Sequence, residues 1–455
     1  YRSFKGKVER FLHRIPGIGK PLAGGLVSLK NWFRRKFMPQ ENAMFEAFGF
    51  RYYGPIDGHD LESLERALRT AAETNGPTLI HICTVKGQGY HPAVSQPQNY
   101  HGVAPFEVES GVPNVELVDK TGDSTETFQS DLRRSSGFTD AFSRCLQYFA
   151  VRDERVTGIC AAMASGTGME AFGKLFPERF FDVGIAEQHA VALAAGMASG
   201  GLRPVVAVYS TFLQRALDQV QHDVVLQNLP VLFCLDRSGV VGEDGETHQG
   251  LYDLAYLRAL PGGTILAPRD YDELFLMMKT ALAKAEGPVI IRYPKGAPLL
   301  SKDDFFKIRR SLVEQGSIHH GIERAQWLKR GSDLNLVAWG YTTGLAWQAA
   351  AQLAGQGISA GVLDLRSLKP LDWASIEEAS LLPIVTIEEI VETGSCSQEI
   401  CAGLRARENN CRMKSIHIPD QAILQGKRGL VLEQYGISVS NICAEALALL
   451  DKERV

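Results

Sequence analysis

A carboxylate at the start of a helix of small residues is the first feature of this sequence that could do chemistry. Glu187 lies in FDVGIAEQH and is followed by AVALAAGMASGG. Small residues let a helix pack closely against a sheet, which would hold the carboxylate rigidly. An acid at the positive end of a helix is also explained by the helix dipole alone. The residue type therefore suggests a catalytic role without proving one.

Two further segments combine aromatic and titratable side chains. Tyr209 and Phe212 lie three positions apart in YSTF, so one helical turn would place both on the same side. Asp244 and His248 lie in EDGETHQG, a glycine-containing loop in which a carboxylate and an imidazole could move and handle a proton. Core aromatics and a solvated loop histidine are the structural alternatives.

Three cationic residues are candidates for binding anionic substrates. Arg215 and Arg237 carry guanidinium groups, which match phosphate oxygens bidentately, and Lys295 offers a point charge. Arg237 directly follows the apolar run PVLFCLD, so we expect it in a loop at the end of a strand. An ion pair or a surface position remains the alternative for each of the three.

The elements that must position these residues form a repeating pattern. The apolar runs VTGIC, PVVAVYS, PVLFCLD and PVIIRYP alternate with helical stretches from Ser136 onward, which predicts a doubly wound parallel sheet. In such sheets ligands bind where the loops leave the carboxyl ends of the strands. The candidate residues lie in those loops.

Similar patterns flank this region. Before it, we predict a short helix (AMFEAFGF), a strand (RYYGPI), a turn (DGHD), a helix capped by Asp60, a buried strand (Thr78–Val85) and a turn at KGQGY. After it, LNLVAWG, SAGVLDLRSL and PIVTIEE are predicted strands, with a helix in TTGLAWQAAAQLAGQG.

The fold class is therefore α/β, with three α/β domains and mainly parallel sheets. We predict a basic arm (1–42), domains at 43–128, 129–318 and 319–455, and an irregular linker within 107–134.

Composition restricts the possible partners. The 455-residue chain has a net charge of −4, which gives no global electrostatic case for nucleic acid. Its eight cysteines show no metal-site spacing, so we expect buried thiols in a reducing compartment. We find no apolar stretch long enough for a membrane span and no signal peptide, and expect a cytoplasmic protein, or a stromal one if the source is a plant. A nucleic-acid or membrane role for the basic arm is the less favoured alternative to a solvated segment.

Four long segments carry a resemblance to a known family. GPIDGHD, FDVGIAEQHAVALAAGMASGG, YSTFLQRALDQVQHDV and LDRSGVVGEDGETHQG resemble segments of the 1-deoxy-D-xylulose-5-phosphate synthase family, in the same order and across nearly the whole chain. The resemblance implies a transketolase-like fold, thiamine diphosphate as coenzyme, and pyruvate and D-glyceraldehyde 3-phosphate as substrates. In the implied reaction pyruvate is decarboxylated and its two-carbon unit is joined to the aldehyde. This is the first step towards non-mevalonate isoprenoid precursors. The family also implies a homodimer.

The resemblance assigns roles to individual residues. Glu187 would hydrogen-bond the coenzyme's pyrimidine ring and favour its reactive imino tautomer. Phe212 would stack on that ring, Tyr209 would face the ring or the substrate, and Ile185 and Lys86 would contact the coenzyme. The catalytic and substrate-side residues implied by the family are His101, His248, Arg237, Arg215, Asp244, Tyr209 and Lys295. Lys295 stands where the family commonly has arginine, so its phosphate role is less specific. His59 is interpreted as a structural turn residue.

One part of the family's pattern is missing. Thiamine enzymes hold Mg²⁺ and the diphosphate through a GDG motif and a later asparagine. Neither occurs here in that context, because the similar string EDGETH lies in the loop that carries Asp244 and His248. We therefore predict no metal ligand in this sequence, with Mg²⁺ held by residues absent from it, and weak or no coenzyme binding by this chain alone. The alternatives are a 2-oxo acid dehydrogenase β-type subunit and a non-catalytic fragment.

Overall fold

The computed structural model describes residues 43–100, 108–109, 111, 125–316 and 321–451. Two compact units divide the chain between Pro113 and Asn114, and each is considered by itself. The predicted basic arm, His101 and most of the predicted linker lie outside the described residues. No helix in the described ranges is long and apolar enough to cross a membrane.

The first unit contains two parallel strands and an amphipathic helix. Strand β1 (Arg51–Asp57) pairs with β2 (Thr78–Cys83), and the helix Leu61–Ala72 connects them. Asp60 caps this helix by accepting a hydrogen bond from Ser63 N at 3.2 Å, as predicted. The prediction that β2 is buried is wrong: its side chains are half-buried or exposed. The other elements are helices Ala43–Ala47 and His91–Ser95 and the 3₁₀ turn Pro97–Tyr100.

The second unit is built around a seven-stranded sheet with the order β12-β7-β8-β6-β5-β3-β4. All its pairs are parallel except β12–β7. The strands are β3 (Val156–Cys160), β4 (Phe180–Asp182), β5 (Arg203–Tyr209), β6 (Leu232–Asp236), β7 (Thr264–Leu266), β8 (Val289–Arg292) and β12 (Ser367–Lys369). The four predicted strands are present, and β4 and β7 are additional.

Successive residues of these strands serve two different hydrophobic cores. In β5, Val205 and Ala207 belong to one core, and Val206 and Val208 belong to the other. A sheet covered by helices on both faces has apolar residues at every strand position, which explains why these runs are continuous rather than alternating. The longer flanking helices are Thr125–Leu132, Phe138–Arg152, Glu187–Ser199, Tyr271–Lys284 and Lys302–Glu314.

Shorter helical turns carry the loops between these strands. They are Glu170–Leu175, Pro177–Arg179, Ser210–Leu213, Gln214–Ala216, Leu217–Gln219, the π-helix Val220–Val225, Gly242–Asp244, Glu246–His248 and Asp253–Leu257.

A five-stranded sheet forms the rest of the second unit, with the order β14-β13-β10-β11-β9. Its strands are β9 (Gln326–Lys329), β10 (Leu334–Ala338), β11 (Ala360–Asp364), β13 (Ile384–Val391) and β14 (Met413–Ile418), and only β9 is antiparallel to its neighbour. Its helices are Tyr341–Ala354, Trp373–Ala379, Cys396–Ala406, Arg428–Gln434 and Val439–Asp451.

Three sequence predictions need correction. SAGVLDLRSL is two strands, because Arg366, at φ +57°, turns the chain out of β11 and into the edge of the seven-stranded sheet as β12. The end of the predicted linker is the helix Thr125–Leu132, whose Phe128 and Leu132 are buried. All eight cysteines are free, but Cys83 is exposed and Cys401 and Cys411 are half-buried, so the prediction of buried thiols holds for five of the eight.

Candidate active site

The candidate residues of the second unit lie at the carboxyl ends of four parallel strands. Tyr209 ends β5, Arg237 directly follows β6, and Lys295 lies in the loop after β8. Glu187 begins the helix that follows β4. Because neighbouring parallel strands end at the same edge of a sheet, residues up to 108 positions apart in sequence are collected there.

Glu187 is held in a buried position with one oxygen directed to an arginine. Its side chain is only 5% exposed, and Oε1 accepts a hydrogen bond at 2.9 Å from Nη1 of Arg215, which is 50% exposed. The helix behind it is fixed by Ala190, Ala194 and Ala198, which are all buried in the core. The expected close packing of the small-residue helix is confirmed, and the carboxylate faces a partner that water can reach.

An aromatic surface lies beside this carboxylate. The rings of Tyr209 and Phe212 stack with their centroids 5.6 Å apart and an interplanar angle of 12°. The His248 ring meets Phe212 edge-on at 5.4 Å. Burial raises the pKa of Tyr209 to about 12, so its hydroxyl stays protonated at neutral pH. Ile185 is 80% exposed, which leaves an apolar side chain open to a ligand or a partner.

Arg237 is locked in place by a residue that the sequence analysis missed. Asp236 is fully buried; its Oδ1 accepts from the Arg237 backbone N at 2.7 Å, and its Oδ2 accepts from Thr139 Oγ1 at 2.6 Å. Arg237 adopts φ +58°, and its Nη1 donates to Gly166 O at 2.7 Å. Its guanidinium lies 4.3 Å from the centroid of the Tyr209 ring.

Asp244 connects two of the candidate cations. Its Oδ1 lies 2.5 Å from Lys295 Nζ, and its Oδ2 lies 3.8 Å from Arg237 Nε. Thr247 and His248 follow on the same loop, and the Thr247 hydroxyl is 3.0 Å from His248 Nδ1. The structure thus brings together Arg237, Asp244, Lys295 and His248 at the carboxyl ends of the strands.

The residues from the first unit are partly described. Lys86 lies exposed on the turn after β2. His59 receives a hydrogen bond at Nε2 from Val85 N at 2.8 Å, and its own N donates to Asp57 Oδ1 at 2.9 Å. These bonds tie the ends of β1 and β2 together and are consistent with a structural turn residue. His101 lies outside the described residues.

The second unit fits one side of a thiamine site. A buried carboxylate beneath a half-buried Phe212 ring and an exposed Ile185 offers a hydrogen-bond acceptor and apolar surface, the chemistry that an aminopyrimidine ring requires. Within the described ranges, no group of three or more His, Cys, Asp or Glu side chains could hold a metal ion. The residues described in the second unit therefore fit the pyrimidine part of the coenzyme.

Family models match three parts of the chain. Residues 1–84 match the 1-deoxy-D-xylulose-5-phosphate synthase model, 135–298 the pyrimidine-binding domain of transketolase, and 323–442 the transketolase C-terminal domain. The structure is similar to a split-gene transketolase described as an inactive β4 tetramer, with 28% identity, TM-score 0.61 and coverage of 70% of this chain and 99% of that one. A transketolase from Campylobacter jejuni is similar in fold, with 18% identity, TM-score 0.57 and coverage of 91% and 70%. Fold and domain matches define a transketolase-like protein.

Curated relatives narrow this class to a family. The 1-deoxy-D-xylulose-5-phosphate synthases of Heliobacterium modesticaldum and Pelotomaculum thermopropionicum are each 42% identical to this chain and align over 100% of it. The chain spans 66% and 67% of their respective lengths, about two thirds of the relatives it matches. The chain belongs to the 1-deoxy-D-xylulose-5-phosphate synthase family. The match of residues 1–84 to this family's own model argues against the β-type dehydrogenase subunit.

Proposed function

We propose that this chain supplies the pyrimidine and substrate side of a thiamine diphosphate-dependent 1-deoxy-D-xylulose-5-phosphate synthase. The enzyme would decarboxylate pyruvate and join the two-carbon unit to D-glyceraldehyde 3-phosphate. The observation that carries this proposal is Glu187, a buried carboxylate that opens a rigid helix beside the stacked Tyr209 and Phe212 rings. Family membership supports it over other uses of the same fold.

Glu187 would act on the coenzyme through a hydrogen bond. The coenzyme supplies the carbanion chemistry once it is bound. In the proposed site Glu187 would accept a hydrogen bond from a protonated nitrogen of the pyrimidine ring, Phe212 would stack on that ring, and Ile185 would contact its apolar surface. Arg215 donates a hydrogen bond to the same carboxylate at 2.9 Å and would hold it in this orientation.

The four charged side chains at the loop ends would bind the substrates. Arg237, fixed by Asp236, and Lys295 are proposed to attract the carboxylate of pyruvate and the phosphate of the aldehyde. Asp244 lies between them and would orient the aldehyde's hydroxyl group. His248 would move a proton at the aldehyde oxygen.

The remaining assignments concern parts of the site beyond the second unit. Lys86 and His101 are proposed to contact coenzyme and substrate. Mg²⁺ and the diphosphate are proposed to bind residues in the third of the relatives' length that this chain does not match. The domain boundaries at 43, 129 and 319, a homodimeric assembly and a cytoplasmic location are part of the same proposal.

A chimera tests the activity. The part of the Heliobacterium modesticaldum relative that this chain does not match would be joined to it, and the product would be assayed with pyruvate, D-glyceraldehyde 3-phosphate, thiamine diphosphate and Mg²⁺. We expect CO₂ release coupled to 1-deoxy-D-xylulose 5-phosphate formation. A folded chimera that binds the coenzyme but yields no such product would contradict the proposal.

Coenzyme binding by the 455-residue chain itself is a second test. Because Glu187, Phe212 and Ile185 offer only the pyrimidine side, calorimetry should detect weak binding or none. Submicromolar, Mg²⁺-dependent binding would show that this chain contains a complete coenzyme site.

A further inference from the structure

The loop that carries Asp244 and His248 is held from outside by the five-stranded sheet. Residues 237–250 are called the substrate loop below. Its base is closed by Gly239 and Gly250, which exchange backbone hydrogen bonds of 2.7 and 2.9 Å. Its tip, from Glu243 to His248, is half-buried or exposed. The tip also makes the Asp244–Lys295 ion pair and accepts a hydrogen bond at Thr247 O from Thr211 Oγ1 at 3.2 Å.

An ion pair between a buried glutamate and a part-buried arginine binds the loop just beyond this base. Glu389, in β13, accepts a hydrogen bond at Oε1 from Val240 N at 2.7 Å. Arg428, at the start of the helix Arg428–Gln434, donates from Nε to Val240 O at 2.8 Å. The two side chains bind each other at 2.6 and 2.7 Å. Both backbone groups of Val240 are thus satisfied by one charged pair, called the Glu389–Arg428 clamp below.

Glu389 lies so close to Gly239 that no residue with a Cβ fits at this position of the loop. Gly239 has φ +91°, and a Cβ built on it would lie 2.6 Å from Cδ of Glu389. Gln425, just before the clamp helix, donates from Nε2 to Glu243 O at 3.0 Å, one residue before Asp244. The clamp therefore acts on the segment that leads directly to the tip, and a second bond fixes the tip's first residue.

The neighbouring acid in β13 shows that burial alone does not produce this contact. Glu388 is equally buried, but it points to the opposite face of the strand and accepts from Cys396 N and Ser397 N at 2.9 and 2.6 Å. It anchors the start of the helix Cys396–Ala406 and touches no residue of the substrate loop in the contacts described. Glu388 thus anchors the helix Cys396–Ala406, whereas the adjacent Glu389 binds the substrate loop.

We infer that Glu389 and Arg428 are positioning residues, which set the place of Asp244 and His248 for the aldehyde substrate by clamping Val240. This inference rests on the proposed function for its substrate, and on the contacts above for its mechanics. It gives the C-terminal part of the chain a role in substrate recognition although none of its residues lies among the candidate substrate ligands.

Hydrogen exchange on the 455-residue chain tests the mechanics without any activity. In Glu389→Gln, and in Glu389→Gln combined with Arg428→Met, the amides of peptides covering 237–250 should exchange at least about tenfold faster. The double variant leaves no unpaired charge behind and so guards against simple misfolding. Glu388→Gln is the matched control and should change the exchange of 396–406 but leave that of 237–250 unchanged. Unaltered loop exchange in the double variant, or equal loosening in Glu388→Gln, would overturn the inference.

Kinetics of the chimera test the consequence. Arg428→Met should raise KM for D-glyceraldehyde 3-phosphate by about tenfold while the rate of pyruvate decarboxylation changes less than about threefold, and Arg428→Lys should restore part of the loss. A uniform fall of both activities would refute a positioning role. If the unmodified chimera makes no product, the proposed function fails, whereas the exchange experiment still decides whether the clamp exists.

Discussion

The charged residues of the candidate site differ sharply from those at the junction between the two sheets of the second unit. At the site, Glu187 pairs with Arg215, which is 50% exposed, and Asp244 pairs with Lys295, which is 35% exposed. The junction consists of Arg269, Asp270, Glu273, Asp364 and Arg366, all buried.

The junction residues form ion pairs across the two sheets. Arg366 Nε lies 2.7 Å from Glu273 Oε2, and Arg269 Nη1 lies 2.8 Å from Asp364 Oδ2. Arg366 also donates to the backbone oxygens of Gly321 and Arg324 at 3.1 and 2.9 Å. We expect the buried charges of the junction to stabilise one arrangement of the two sheets. The part-exposed charges of the candidate site remain accessible to ligands. Substitutions in the two regions should therefore fail in different ways.

The largest effect is expected at Glu187. In the chimera, Glu187→Gln should lower carboligation by about 10² to 10⁴-fold, because an amide cannot exchange a proton with the pyrimidine ring nitrogen as a carboxyl group does. The substitution is nearly isosteric, so the melting temperature should change little. Glu314→Gln, which removes an exposed carboxylate paired with Arg310, is the control and should keep full activity. An equal loss of activity in Glu187→Gln and Glu314→Gln would contradict a specific catalytic role for Glu187.

At the junction, a substitution is expected to lower the stability of the fold. Arg366→Met should reduce the free energy of unfolding by about 3–5 kcal/mol, because it leaves buried acceptors and a buried carboxylate without their partner. Urea unfolding followed by fluorescence would measure it. Arg310→Met, at an exposed pair with Glu314, should cost less than about 1 kcal/mol. A small loss for Arg366→Met would mean that the junction charges are not what holds the sheets together.

A substitution at the substrate loop should change affinity more than stability. Lys295→Met in the chimera should raise KM for D-glyceraldehyde 3-phosphate by about tenfold, since one charged contact to the phosphate is lost. Lys295→Arg should keep or improve the affinity, because a guanidinium can bind phosphate bidentately. Lys174→Met, which removes a surface pair with Glu170, serves as the control. An unchanged KM in Lys295→Met would exclude Lys295 from phosphate binding.

The smallest effect is a pH dependence at the junction. Burial raises the pKa of Asp270 to about 6, against the attraction of Arg269. The folded protein therefore holds this proton more tightly than the unfolded chain, and the stability contributed by Asp270 is present at low pH and lost as pH rises towards about 6. Asp270→Asn removes this loss, so its stability relative to the parent should improve by about 1 kcal/mol between pH 5 and 7. Urea titrations of both proteins at the two pH values would measure this difference in stability. A difference that does not change with pH would contradict the raised pKa of Asp270.

Local patterns were sufficient for most elements. Continuous apolar runs marked β3, β5, β6 and β8, because a parallel strand covered on both faces has no polar side. Asp60 marked the start of its helix, since a cap depends on a few neighbouring residues. The same patterns placed Arg237, Asp244 and Lys295 in loops at strand ends. The residues of the candidate site were therefore recognisable from the order of the segments and the family resemblance.

Other features depended on contacts that no local pattern contains. The strands β4, β7 and β9 are short, so their residues showed no clear period. SAGVLDLRSL contained a corner at Arg366 that joins two sheets. The sequence showed the types of the site residues but not the side chains that fix them.

The sequence by itself determined the α/β class, the order of the elements and the family to which the chain belongs, because these follow from hydrophobic period, turn chemistry and ordered motifs. The tertiary structure decided which charges are sealed and which are reachable, since burial depends on neighbours far apart in the chain. Glu389 lies 149 residues from Val240, and only the folded sheet reveals that this acid holds the substrate loop.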